Sequence, residues 1–156
     1  MLDVDIPGFG QVKVKYFVSD FTGTLSSGGK LLPGVKDRLH RVADIMEIRI
    51  LTADTFGVVK KELEGVRCSI KILEGEKHDE QKREYVLGLS PDKVIAFGNG
   101  NNDRKMLKTA RIGIAVSEGE GCSVDALTAA DIHVNRAIDA LDLMLNPKRL
   151  KATLRF

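Results

Sequence analysis

Apolar and polar positions change their spacing along the chain, and each change marks a structural element. Val4 to Ile6 and Val12 to Lys15 alternate around Pro7-Gly8-Phe9-Gly10, the period-two pattern of a two-stranded ribbon with a Gly-rich turn. After Lys15 the alternation stops. Tyr16-Phe17-Val18 is a continuous apolar run, as expected where a strand enters a sheet covered on both faces. The runs Ile48 to Thr52, Ser69 to Leu73, Val94 to Phe97, Ile112 to Val116 and Ile132 to Val134 read as further buried strands. Between them apolar residues recur at three and four positions, which predicts helices over 34–46, 55–64, 78–88, 102–109, 122–128 and 135–145. Strand and helix in turn imply an α/β fold: a three-layer, doubly wound parallel sheet with helices on both faces and the ribbon at an edge. The tail Lys148 to Phe156, with four basic residues, reads as a solvated end, with a docking edge for another subunit of a homo-oligomer as the alternative.

Composition narrows the function classes. A chain of 156 residues fits one domain over 1–156 and buries roughly 70% of its unfolded surface, and 43% hydrophobic with 29% charged residues excludes disordered and fibrous classes. Lys and Arg number 24 against 22 Asp and Glu, so no basic field points to nucleic acid or to a membrane surface. Apolar stretches fall far short of the roughly 20 residues of a spanning helix. The start, Met-Leu-Asp-Val-Asp-Ile-Pro, places acids where a signal peptide carries bases, so a cytoplasmic location is expected. Cys68 and Cys122 have no Cys or His at zinc-ligand spacing and read as reduced, packed thiols.

Ligands of open parallel sheets bind beyond the carboxyl ends of the strands. Three polar clusters fall there: Ser19-Asp20-Phe21-Thr22-Gly23-Thr24-Leu25, Leu51-Thr52-Ala53-Asp54, and Gly98-Asn99-Gly100-Asn101-Asn102-Asp103. An acid directly after a buried strand, followed by small and hydroxyl residues, can gather its carboxylate and neighbouring N–H groups around one anion. Aspartyl-phosphate chemistry needs that arrangement, with Asp20 as nucleophile. Gly23 permits close backbone approach. Asn99 and Asp103 offer the hard oxygen ligands that suit Mg²⁺. Lys82, in the predicted helix before that strand, can bring an ammonium to the phosphoryl group, and Thr52 can donate a hydroxyl to it. Asp54 reads as a helix cap.

These residues resemble the haloacid dehalogenase-like hydrolases, whose four motifs appear in order across nearly the whole chain. Asp20-Phe21-Thr22-Gly23-Thr24-Leu25 is similar to the Asp-x-Asp-Gly-Thr nucleophile motif, Leu51-Thr52 to the second-strand Thr/Ser motif, Lys82 to the motif lysine, and Gly98 to Asp103 to the Gly-Asp-Gly-x-Asn-Asp acidic motif. With Thr22 in place of a second Asp, the first motif also resembles the Asp-Lys-Thr-Gly-Thr motif of P-type ATPases, and the chain as a whole resembles small soluble P-type ATPase-like proteins of prokaryotes. The resemblance implies a Rossmannoid core. It also implies an Mg²⁺-dependent phosphohydrolase acting on a small phosphorylated substrate through phospho-Asp20. Thr24, Thr52, Lys82 and Asn102 would position the phosphoryl group, and Asp20, the Thr22 carbonyl, Asn99 and Asp103 would hold the metal. The intervals from Asp20 to Thr52 and from Thr52 to Lys82 leave no room for a cap domain.

Two positions depart from the family pattern. Thr22 cannot serve as the general acid and base that the usual second Asp provides, so a phosphoenzyme should hydrolyse slowly. Asn99 replaces a metal-binding Asp and removes one negative charge. The competing reading is a phosphate- and metal-sensing module, or a partner of a membrane transporter, that has lost activity at these two positions. A receiver-like acceptor of phosphate from a kinase also uses a strand-end Asp, but leaves Gly98 to Asp103 without a role.

Overall fold

The computed structural model describes residues 1–54 and 57–156. The opening alternation closes into an antiparallel ribbon, β1 (Leu2–Ile6) with β2 (Gly10–Val14), in which Leu2 faces Val14 and Val4 faces Val12. Gly8 and Gly10 have φ of 81° and 98°, values that favour glycine. Leu2, Ile6, Val12 and Val14 are buried. The ribbon forms its own sheet and sits below the amino ends of the central strands, where the Lys15 amide donates to Lys93 and the Lys15 carbonyl accepts from Glu47.

From there the chain runs through β3 (Tyr16–Ser19), a hairpin of β4 (Ser26–Ser27) and β5 (Lys30–Leu31), α1 (Val35–Ala43), β6 (Glu47–Thr52), α2 (Val58–Glu62), β7 (Cys68–Ile72) and α3 (His78–Gly88). It continues through β8 (Val94–Gly98), α4 (Arg104–Thr109), β9 (Ile112–Val116), α5 (Val124–Ala129), β10 (Ile132–Val134), α6 (Ala137–Leu145) and α7 (Pro147–Leu154), with 3₁₀ turns at Pro91–Lys93 and Asn101–Asp103. The main sheet is parallel in every pairing, in the order β10-β9-β8-β3-β6-β7. The order turns back between β3 and β8, which makes their carboxyl ends the switch point where such sheets bind ligands.

Strands β8 and β9 are buried along their whole length, which explains their unbroken apolar runs. On one face Phe17, Ile50, Ile95 and Phe97 pack with α1, α6 and the ribbon, and the Phe17 and Phe97 rings meet edge to face at 4.5 Å. On the other face Val18, Leu51 and Ala96 pack with Val86, Met106 and Leu107. Gly113 lies so close to α4 that a side chain would collide with the Leu107 carbonyl.

The predicted strands and helices are present with shifted ends. The helix expected over 34–46 stops at Ala43, and the one over 122–128 starts at Val124 with the Ser123 hydroxyl capping Ala126 N–H. The helix expected over 55–64 is α2, and the part of it at residues 55 and 56 lies outside the described residues. Of the tail's four basic residues three are exposed, as a solvated end implies, yet the segment is not loose. It folds as α7 with Pro147 in its first turn, buries Leu150, and returns to the ribbon, where Phe156 N–H donates to the Pro7 carbonyl. The apolar signal there is weak: Leu150 and Leu154, one helical turn apart, with Ala152 and the final Phe156 in a basic segment. Among the described residues no helix is long and apolar enough to cross a membrane.

Candidate active site

Asp20 follows directly on β3, and its N–H donates to the Phe97 carbonyl of β8, so the carboxylate is fixed to the two strands at the switch point. The next residues wrap around one carbonyl: Phe21 C=O accepts from the amides of Thr24, Leu25 and Ser26 and from the Ser26 hydroxyl. Gly23 completes the turn at φ 79°. A side-chain carbon on it would lie 2.5 Å from Asn99 Nδ2, so glycine is required for both conformation and space.

Lys82 Nζ is the hinge of the site. It projects from α3, is 1% exposed, and donates to Asp20 Oδ1 at 2.9 Å and to Asp103 Oδ1 at 2.6 Å. Lys77, the other lysine nearby, is exposed at the start of α3. Asp103 is wholly buried, and its second oxygen accepts from the Asn99 and Gly100 amides at 3.0 and 2.9 Å. Thr24 Oγ1 donates toward Asp20 Oδ2 at 3.2 Å and Asn99 Oδ1 at 3.1 Å. Thr52 ends β6, and its hydroxyl accepts from Asp54 N–H at 3.2 Å. Asp54 Oδ2 accepts from Val59 N–H at 2.8 Å, so it caps α2 as expected.

Asp20, Thr22, Thr52, Lys82, Asn99 and Asn102 line one open cavity of about 480 Å³. Gly23, Thr24 and Asp103 stand behind that wall, all three buried. Two buried carboxylates share one ammonium, which leaves one negative charge in excess. Burial, then the charge of Asp103, push the Asp20 carboxyl up to about 6 against the pull of Lys82. Burial pulls the Lys82 pKa down, but the charges of Asp20 and Asp103 outweigh it and the net shift is upward. An excess negative charge with oxygen donors from Asp20, Thr22 and Asn99 fits a hard divalent cation such as Mg²⁺. Asp103 has both oxygens engaged and would act mainly by holding Lys82 and the Asn99 loop. Among the described residues no three His, Cys, Asp or Glu side chains converge as a metal site, so the cation would depend on amide and carbonyl oxygens as well.

One part of the site carried no motif. Glu120, on the loop after β9, accepts from the Gly28 amide at the tip of the β4–β5 hairpin, and the next residue's carbonyl, that of Gly121, accepts from Asn99 Nδ2. Its only sequence signal is a glycine-interrupted acidic stretch, Glu118-Gly-Glu-Gly, at a strand's carboxyl end.

Comparison with known proteins agrees with this geometry. The family model described as haloacid dehalogenase-like hydrolase matches residues 81–132, the stretch that carries Lys82, Asn99, Asn102 and Asp103. An uncharacterized protein of Methanocaldococcus jannaschii, MJ0073, is 52% identical over 63 residues, 40% of this chain and 68% of that protein. Among solved structures, 3-deoxy-D-manno-octulosonate 8-phosphate phosphatase of Moraxella catarrhalis, in complex with magnesium, phosphate and its sugar, superposes with a TM-score of 0.66 at 19% identity, covering 91% of this chain and 94% of that one. The cobalt-bound deoxy-D-mannose-octulosonate 8-phosphate phosphatase of Haemophilus influenzae gives 0.67 at 12% identity, covering 92% and 94%. At such identities the solved structures speak for the fold. With that fold, the three strand-end motifs gathered around Lys82 of α3 and the matched segment in agreement, the chain belongs to the haloacid dehalogenase-like hydrolases.

Proposed function

We propose that the chain is an Mg²⁺-dependent phosphohydrolase that works through a phosphorylated Asp20, a counterpart of the phosphorylation domain of P-type ATPases without the membrane part. The observation that carries this reading is the Lys82 ammonium held between Asp20 and Asp103 at the switch point. Such a group neutralises phosphoryl oxygens while orienting the attacking carboxylate. Phosphate and magnesium in the named Moraxella enzyme, and cobalt in the Haemophilus one, support the same chemistry. On this reading the chain acts as one domain in the cytoplasm, on a small phosphorylated compound that enters the open cavity.

In the first step Asp20 Oδ2, which accepts from the Thr24 hydroxyl, attacks phosphorus, the bond from phosphorus to the leaving oxygen breaks, and that oxygen departs with its electron pair. Lys82, Thr52, Thr24 and Asn102 receive the phosphoryl oxygens. Asp20, the Thr22 carbonyl and Asn99, with Asp103 behind them, would hold Mg²⁺, which when bound would supply positive charge against those oxygens. In the second step water attacks the phosphorus of the acyl phosphate and releases inorganic phosphate and Asp20. The Thr22 hydroxyl does not ionise near neutral pH and so cannot act as general base, and Asp54 is engaged as a cap, so this second step is the slow one.

Acid-quenched protein, exposed to an active phosphate donor and analysed by mass spectrometry, should carry a phosphate adduct on Asp20. Its absence under donor excess overturns the reading. A sensing or transporter-partner role is favoured by one feature, the full engagement of Asp103 beside the neutral Asn99. Binding of beryllofluoride without any turnover would select it.

A further inference from the structure

The loop between β9 and α5 touches both motif loops of the site. Glu120 Oε1 accepts from Gly28 N–H at 2.9 Å. Its other oxygen faces the nucleophile turn, since a side-chain carbon on Gly23 would come within 2.7 Å of Oε2. One residue on, the Gly121 carbonyl accepts from Asn99 Nδ2 at 3.1 Å, and Ser123 N–H donates to the Asn99 carbonyl at 2.7 Å. The same short loop therefore fixes the hairpin tip and the Asn99 amide.

The hairpin needs such a tie. Each of its strands is two residues long, too short to be stable alone, and Gly28 and Gly29 both sit at positive φ. Its base is bonded to the nucleophile loop: Gly23 N–H donates to the Ser26 carbonyl at 2.9 Å, and the Ser26 hydroxyl donates to the Phe21 carbonyl at 3.0 Å. A pull at the tip is thus transmitted to Thr22 and Gly23. A backbone N–H given to a carboxylate is among the stronger hydrogen bonds, yet Glu120 is exposed, so the tie is open to solvent competition. The contact to Gly121 also accounts for the amide at position 99, because an aspartate there would set a carboxylate oxygen against a carbonyl oxygen with no hydrogen between them.

We propose that Glu120 is a positioning residue. Its carboxylate anchors the β4–β5 hairpin to the β9–α5 loop, and through Ser26 it holds the Thr22-Gly23 turn and the Asn99 amide in the arrangement that receives a phosphoryl group. The effect on turnover rests on the function proposed above. The tie itself does not.

Hydrogen exchange of the full chain reads the tie directly. E120A should raise exchange at the Gly28 amide about tenfold, the scale of one hydrogen bond to a charged acceptor, with β8 and β9 unchanged. E120Q, which keeps an acceptor oxygen, should restore most of the protection. With an aryl phosphate as substrate, E120A should lower kcat/KM by about the same factor, and E120Q should recover it. Unaltered Gly28 exchange in E120A, or no recovery in E120Q, overturns the proposal. If the wild type shows no turnover, the exchange result still decides the tie, and the phosphohydrolase reading alone has failed.

Discussion

The two ends of the central sheet are built from opposite materials. At the amino end the ribbon and α7 cover the strands with Leu2, Ile6, Val12, Val14 and Leu150, all buried and apolar. At the carboxyl end, a strand's length away, the buried groups are Asp20, Thr24, Thr52, Lys82 and Asp103. Apolar burial stabilises in proportion to area, whereas buried charges stabilise only when paired and hydrogen-bonded. One end holds the fold together. The other uses that stability to keep a carboxylate in a place it would otherwise leave, and mutations at the two ends should separate accordingly.

The sharpest break is Asp20→Asn. Phosphate release should fall on the order of 10⁴-fold or more, the scale for removing a nucleophile, while the metal-free variant melts higher than wild type at neutral pH because the excess buried charge is gone. A variant that keeps turnover would end the contrast between the two regions. Next comes Lys82→Met, which leaves Asp20 and Asp103 facing each other without the ammonium. Urea unfolding should show a loss of about 3–5 kcal/mol, partly recovered in acid as a carboxylate takes up a proton. Leu150→Ala, at the other end, should cost about 3 kcal/mol through the cavity it opens, with kcat of the remaining folded protein unchanged.

The smallest effect is the titration of Asp20. Its carboxyl sits near 6 in the fold against 3.8 for the free group, so the folded chain binds the proton more tightly. The stability linked to it is fully present below pH 3.8 and is lost as pH rises through 6, by about 2 kcal/mol once its coupling to Lys82 and Asp103 is discounted. Melting temperatures of the metal-free protein across that window should fall with pH more steeply than those of Asp20→Asn, and Mg²⁺ should flatten the difference.

Much of this was legible in the residues. Strands β8 and β9 announce themselves because burial on both faces forces unbroken apolar runs, and Lys82 because it shares a helical face with the buried Val86 four residues on. The strand-end positions of Asp20, Thr52 and Asn99 follow from the parallel sheet. Three features escaped because their signals lie below what periodicity can carry. The β4–β5 strands are two residues each, α7 shows only two large apolar residues in a basic segment, and Glu120 bonds to a backbone amide nearly a hundred positions away. Helix ends slipped where capping, as at Ser123, decided the boundary in place of hydrophobicity.

Thr24 has one hydroxyl hydrogen and two acceptors at almost equal distance. It cannot serve both fully, so the better acceptor takes it. While Asp20 is a carboxylate, that is Asp20. On the proposed mechanism, once that oxygen is bonded to phosphorus and its charge has passed to the phosphoryl group, the hydrogen should turn toward Asn99. A single proton would thereby report the chemical state of Asp20 to the loop on the far side of the cavity.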